Sequence, residues 1–137
     1  MFEKIVALKK SGINIHLHYF KYGNRGNNDE LKKYCESIYS YERKIGTKGL
    51  HPGLPYIVSS RAHEELIVNL QKNDFPILVE GIHCTGILES FEGKKRKILV
   101  RLHNDESAYY KKLSESEKRL FPKLFFWKES NLLKKYQ

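Results

Sequence analysis

Apolar residues along the chain recur at two periods, and the switches between them mark the elements. Phe2, Ile5, Val6 and Leu8 fall at helical spacing over residues 2–11, with Lys9 and Lys10 in the last turn. Gly12 follows as the helix C-cap, where a residue of positive φ is easiest to place. INIHLHYF, residues 13–20, is rich in β-branched and aromatic types and predicts a strand. KYGNRGNN, residues 21–28, is a turn-rich loop, after which Asn28 or Asp29 caps a helix to about Ser37 with Leu31, Tyr34 and Cys35 inward. IYSYER, residues 38–43, alternates as a second strand. The glycines and prolines of residues 44–55 predict a loop.

Helical pattern resumes at Tyr56–Val58 and again over residues 62–72, where Leu66, Ile67 and Leu70 share a face. PILVEGI, residues 76–82, is a short apolar run of the kind found in buried parallel strands. A loop or short helix covers 83–92, and KKRK at 94–97 leads into the strand ILVRL, 98–102. The remainder reads as helix: ESAYYKKL, then Ser114 and Glu117 spaced as a capping box, then LFFWKESNLLKKY. Pro122 is expected to kink this last segment or mark its first turn. Helices alternating with short strands predict βαβ units, and so one α/β domain over residues 1–137. Its Rossmann-like parallel sheet is expected to be covered by helices on both faces. Strand 38–43 is expected beside 13–20, and 98–102 beside 77–82. The first helix has no strand before it, so the sheet is expected to lack its first strand. Strands 13–20 and 77–82 would then close on each other, or their exposed edges would pair a dimer.

Charge adds one constraint. Lys and Arg number 25 against 16 Asp and Glu, a formal net charge of +9, which suits an anionic partner without choosing among phosphate, nucleic acid and membrane surface. Two cysteines, Cys35 and Cys84, in no CxxC pair, make no disulfide framework and fit a reducing, cytoplasmic compartment. No apolar run approaches the roughly 18 residues of a membrane span, and charge interrupts MFEKIVALKKSG too early for a signal peptide.

Chemistry concentrates at two strand ends. In VRLHNDESAYY, residues 100–110, a buried strand runs through a polar HND triplet into a helix. His103 and Asn104 therefore sit where open parallel sheets bind ligands, ahead of a helix N-terminus that favours an anion. The plainer reading makes Asn104 or Asp105 an N-cap. VEGIHCTG, residues 79–86, repeats the arrangement, with Gly81, His83, Thr85 and Gly86 expected at the same edge. Cys84 adjoins His83, but neighbouring strand residues point to opposite faces, which argues against thiol catalysis. His16 and His18 share a strand face at a spacing zinc could use, yet no further ligands are recognisable, so no metal is expected. The GNRGNN loop lacks both GxGxxG and GxxxxGKS/T. KKRK and the Lys pairs read as solvated surface, and nucleic acid is not the expected partner. LFFWKESNLLKKY resembles an amphipathic basic helix of the kind that touches membrane, but packing into the core explains its aromatics more cheaply.

The order of these segments resembles a known family. ALKKSGINIHLHYF is similar to the first helix and second strand of GT-B glycosyltransferases. LPYIVSSR, PILVEGIHCTG, ILVRLHNDESAYYKKLSESEK and KESNLLKKY then follow in the order found in bacterial members that build surface polysaccharides. The resemblance implies the acceptor-side, N-terminal part of an enzyme that moves a sugar from a nucleotide-sugar donor to a polysaccharide or lipid-linked acceptor. His103 would be the catalytic residue, stabilising charge at the reacting sugar or departing phosphate. His83, Asn104 and Glu106 would bind substrate, with no cofactor beyond the nucleotide sugar. The family's first strand, glycine-rich turn and donor-binding C-terminal domain have no counterpart here, so this chain alone is expected to be inactive. It is expected in the cytoplasm or at the inner membrane face. The rival reading is a non-catalytic basic module that binds nucleic acid or acidic polysaccharide.

Overall fold

A computed structural model describes residues 2–22 and 29–137. The chain forms two compact units, Met1–Arg43 and Lys44–Gln137. In the first, helix α1 (Phe2–Lys10) leads to strand β1 (His16–Phe20), a 3-10 turn at Leu31–Lys33 and strand β2 (Ser37–Tyr41). Gly12 adopts φ +80°, and the Gly12 and Ile13 amides donate to the carbonyls of Lys9 and Leu8. This closes α1 as a Schellman motif. That cap consumes the start of the expected strand, so β1 begins only at His16. β1 and β2 pair in parallel, with His18 opposite Tyr39. Among the described residues of this unit, Ile5 and Tyr41 are the buried apolar side chains.

The helix expected to run on to Ser37 is only the turn Leu31–Lys33. The reason is the sheet: the Glu36 amide already donates to the Ile15 carbonyl at 2.8 Å, so the ladder claims the chain there. Too few residues remain to offset the cost of nucleating an α-helix. The GNRGNN turn and Asn28 lie outside the described residues.

The second unit carries α2 (Tyr56–Ser59), α3 (Glu64–Gln71), β3 (Ile77–Glu80), a ten-residue 3-10 helix (Ile82–Phe91), β4 (Ile98–Arg101), α4 (Glu106–Ser116) and α5 (Leu120–Tyr136). β3 and β4 pair in parallel from Ile77–Ile98 to Glu80–Arg101. Ile57, Val58, Ile82 and Leu133 form its core, with Tyr110 and Tyr136 packed against them. The α/β class and the parallel pairing hold, with the strands in two two-stranded sheets among the described residues. Strands 13–20 and 77–82 each pair with the neighbour expected for them, β2 and β4, among the described residues.

The α4–α5 junction differs from its sequence pattern. Ser114 lies inside α4, where its hydroxyl donates to the Lys123 carbonyl, and Glu117 takes the Arg119 amide at 2.9 Å. No capping box forms because α4 continues past Ser114, and α5 starts after Arg119 without a side-chain cap. Pro122 sits in the first turn of α5, where its missing N–H costs nothing.

Candidate functional site

The register of β3 and β4 builds the site. Glu80 stands opposite Arg101, and the ladder continues through the Gly81 amide to the Arg101 carbonyl at 2.8 Å. Alternation past Arg101 then returns His103 to the Glu80 side. The His103 Nε2 lies 2.7 Å from Glu80 Oε2, with an Arg101 guanidinium nitrogen 4.0 Å from the other carboxylate oxygen. The Glu80 and His103 side chains remain 23% and 43% exposed, so the pair is open to a ligand.

Gly81 brings a second histidine to this pair. It adopts φ +85° and ψ 154°, a region reserved for glycine, as it turns β3 into the 3-10 helix. A Cβ there would lie 2.8 Å from His83 Nδ1 and 3.8 Å from His103 Cδ2, so both rings close over the bare backbone. His83 Nε2 approaches Glu106 Oε1 at 3.8 Å. Glu106 opens α4, where a carboxylate favours the positive helix end. Asp105 is the N-cap, accepting the Ala108 amide at 2.9 Å. Asn104 stands exposed in the bend between β4 and α4. Two histidine–carboxylate pairs thus meet at the carboxyl edge of one parallel strand pair.

Other candidates fall away from this edge. Thr85 is buried and hydrogen-bonds the Ile82 carbonyl and the Tyr136 hydroxyl at 2.6 and 3.0 Å. A Cβ on Gly86 would press on Val58 and Ala62, so Gly86 serves helix packing rather than ligand approach. Both were expected at the edge, but residues 82–91 coil inward as a 3-10 helix instead of extending the strand. For the same reason strand alternation does not separate Cys84 from His83. Burial instead raises the Cys84 thiol pKa, which keeps it from being a nucleophile. The Tyr110 phenol is pushed up to about 12 by burial, then by the Glu129 and Glu106 charges, and stays protonated.

His16 and His18 are engaged on their own sheet. His16 Nδ1 lies 2.7 Å from the Ser37 hydroxyl, and His18 Nδ1 lies 2.8 Å from the Tyr41 hydroxyl. His18 also stacks on Tyr39 with centroids 4.7 Å apart. Within KKRK, Arg96 donates to the Phe75 carbonyl and Asn73 side chain, bonds the Leu70 carbonyl and covers the Phe91 ring. That arginine ties the approach to β4 to α3 and the loop that follows it, and is not a spare phosphate ligand.

Sequence reasoning missed Glu80. The signal was there: one acid inside an apolar parallel-strand run, directly before a glycine, has to find a partner to be placed there.

No family model matches the chain, and no solved structure matches it. Over 104 residues, 72% of the chain, it is 30% identical to an "Uncharacterized 44.6 kDa protein in cps region" of Klebsiella pneumoniae. The chain spans about a quarter (26%) of that relative's length.

Proposed function

We propose that this chain forms the acceptor side of a glycosyltransferase of surface-polysaccharide assembly, with His103 as the catalytic residue and Glu80 positioning it. The 2.7 Å Glu80–His103 pair at the strand edge carries the reading. The similarity to a protein of a cps (capsule polysaccharide) region supports it from a different side. A carboxylate that accepts from Nε2–H fixes the imidazole tautomer and leaves Nδ1 as the basic atom. In this scheme Nδ1 takes the proton of the acceptor hydroxyl as its oxygen bonds to the anomeric carbon. The bond from that carbon to the nucleotide phosphate breaks, and the electron pair leaves with the phosphate. Glu80 then stabilises the imidazolium. The pairing favours this role over direct stabilisation of the sugar or phosphate. His83, backed by Glu106, and Asn104 would hold the acceptor's other hydroxyls. The nucleotide sugar, the donor substrate, would be held by the other half of such an enzyme, in the cytoplasm.

Two measurements test it. In the enzyme that carries this segment, His103→Ala should lower kcat by about 10²–10⁴-fold with little change in KM, the range for a lost general base. In NMR titrations of the chain itself, acceptor saccharides should shift the His83 and His103 imidazole signals. Selective shifts with heparin or DNA that collapse steeply with salt, and none with saccharide, would establish the polyanion-binding module instead.

A further inference from the structure

Helix α5 buries one side and leaves large apolar side chains on the other. Its inner side buries Glu129, Ser130 and Leu133. On its outer side Leu120, Phe121, Leu124 and Trp127 stand 66%, 85%, 53% and 62% exposed. At 3.6 residues per turn Leu120, Leu124 and Trp127 form one stripe, flanked by Phe121 and Lys128 on one side and Lys123 on the other. Lys134 and Lys135 continue the exposed basic character to the C-terminal turn. The sole carboxylate in Leu120–Tyr136 is Glu129, and it is turned inward, 3% exposed.

We infer that this face of α5 docks flat on an anionic membrane surface, independently of any glycosyl transfer. Trp127, Phe121, Leu120 and Leu124 enter the boundary between headgroups and acyl chains, while Lys123, Lys128, Lys134 and Lys135 reach the headgroup phosphates. An aromatic and leucine stripe flanked by lysine alone matches that chemistry. A second copy seated on the same face would set lysine against lysine. Among the described residues no helix is long and apolar enough to cross the bilayer, and α5 itself meets the surface side-on.

Trp127 is the chain's only tryptophan, so its fluorescence reports this face directly. With vesicles of phosphatidylglycerol in phosphatidylcholine its emission should shift to the blue, and added salt should reverse the shift. Phosphatidylcholine alone should give little change. Lys123→Gln and Lys128→Gln should each weaken partition about fivefold. Phe121→Ser should weaken it about tenfold without changing the salt dependence. All three positions are exposed, and unchanged circular dichroism would show the fold intact. No shift with anionic vesicles would overturn the inference, as would a shift insensitive to both lysines. A shift that grows with protein concentration in the absence of lipid would assign the face to self-association.

Discussion

Gly81 does two jobs that no other residue can combine. Its φ of +85° turns the chain out of β3, and its missing Cβ admits the His83 and His103 rings. Gly81→Ala should cost about 1–3 kcal/mol in urea unfolding from backbone strain, and should also change both imidazole NMR signals. Gly12 provides the contrast. It too has positive φ, +80°, but a Cβ there meets nothing within 4 Å. Gly12→Ala should therefore cost only about 1 kcal/mol and leave the imidazole signals unmoved. Equal losses at the two positions would remove the steric role assigned to Gly81. Glu80 belongs to this scale as well: its charge was visible in the sequence, but its partner lies on another strand and only the β3–β4 register brings them together.

Helix ends decide how firmly the site is held. Asp105 satisfies the Ala108 amide at the start of α4, and the next residue is Glu106, beside His83. Asp105→Ala should destabilise the chain by about 1 kcal/mol, read as a lower urea midpoint. Asp105→Asn should restore most of the loss, because the amide oxygen caps equally well. Loss of the same size in both variants would mean that the charge at the helix end matters rather than the hydrogen bond. Cap signals were only partly legible. The HND triplet announced the α4 start, whereas Ser114 and Glu117 had capping-box spacing inside and just after a continuing helix. Short segments beside strands lost to the ladder, which is why the helix expected from residue 29 shrank to one 3-10 turn.

Across the second unit, one buried acid joins distant parts of the chain. Short helix α2 follows Pro55, which offers no capping side chain. Its Tyr56 amide instead donates to Glu129 Oε2 on α5 at 2.7 Å. Burial raises the Glu129 pKa, with the Tyr56 amide, Lys128 and the Ile57 amide pulling it back. In the interval between the ordinary and the raised value, the folded chain binds more protons than the unfolded one. Stability from this group is therefore full below the ordinary glutamate range and declines as pH rises through the raised value. Glu129→Gln keeps a carbonyl oxygen for Tyr56 and removes the titration. Its unfolding free energy, subtracted from that of the parent chain across pH, should show the parent losing ground as pH rises. A flat difference would show that the carboxylate is not desolvated.

Periodicity and turn chemistry by themselves determined most of the element order, the Gly12 cap, the parallel strand class and the place of His83 and His103 just past β3 and β4. These are local properties: apolar spacing chooses helix or strand, and glycine tolerates positive φ. β4, expected to be buried, instead leaves Leu99 and Val100 exposed. Tertiary structure alone decided the rest. It chose Glu80 as the partner of His103, curled residues 82–91 so that Thr85 and Gly86 left the edge, and gave Arg96 to three backbone and side-chain acceptors. It also turned Glu129 inward as the cap of α2 and left the aromatic stripe of α5 outside. Each of these depends on which face or strand meets which. That is set by register and packing between segments far apart in the chain, and no single stretch of sequence encodes it.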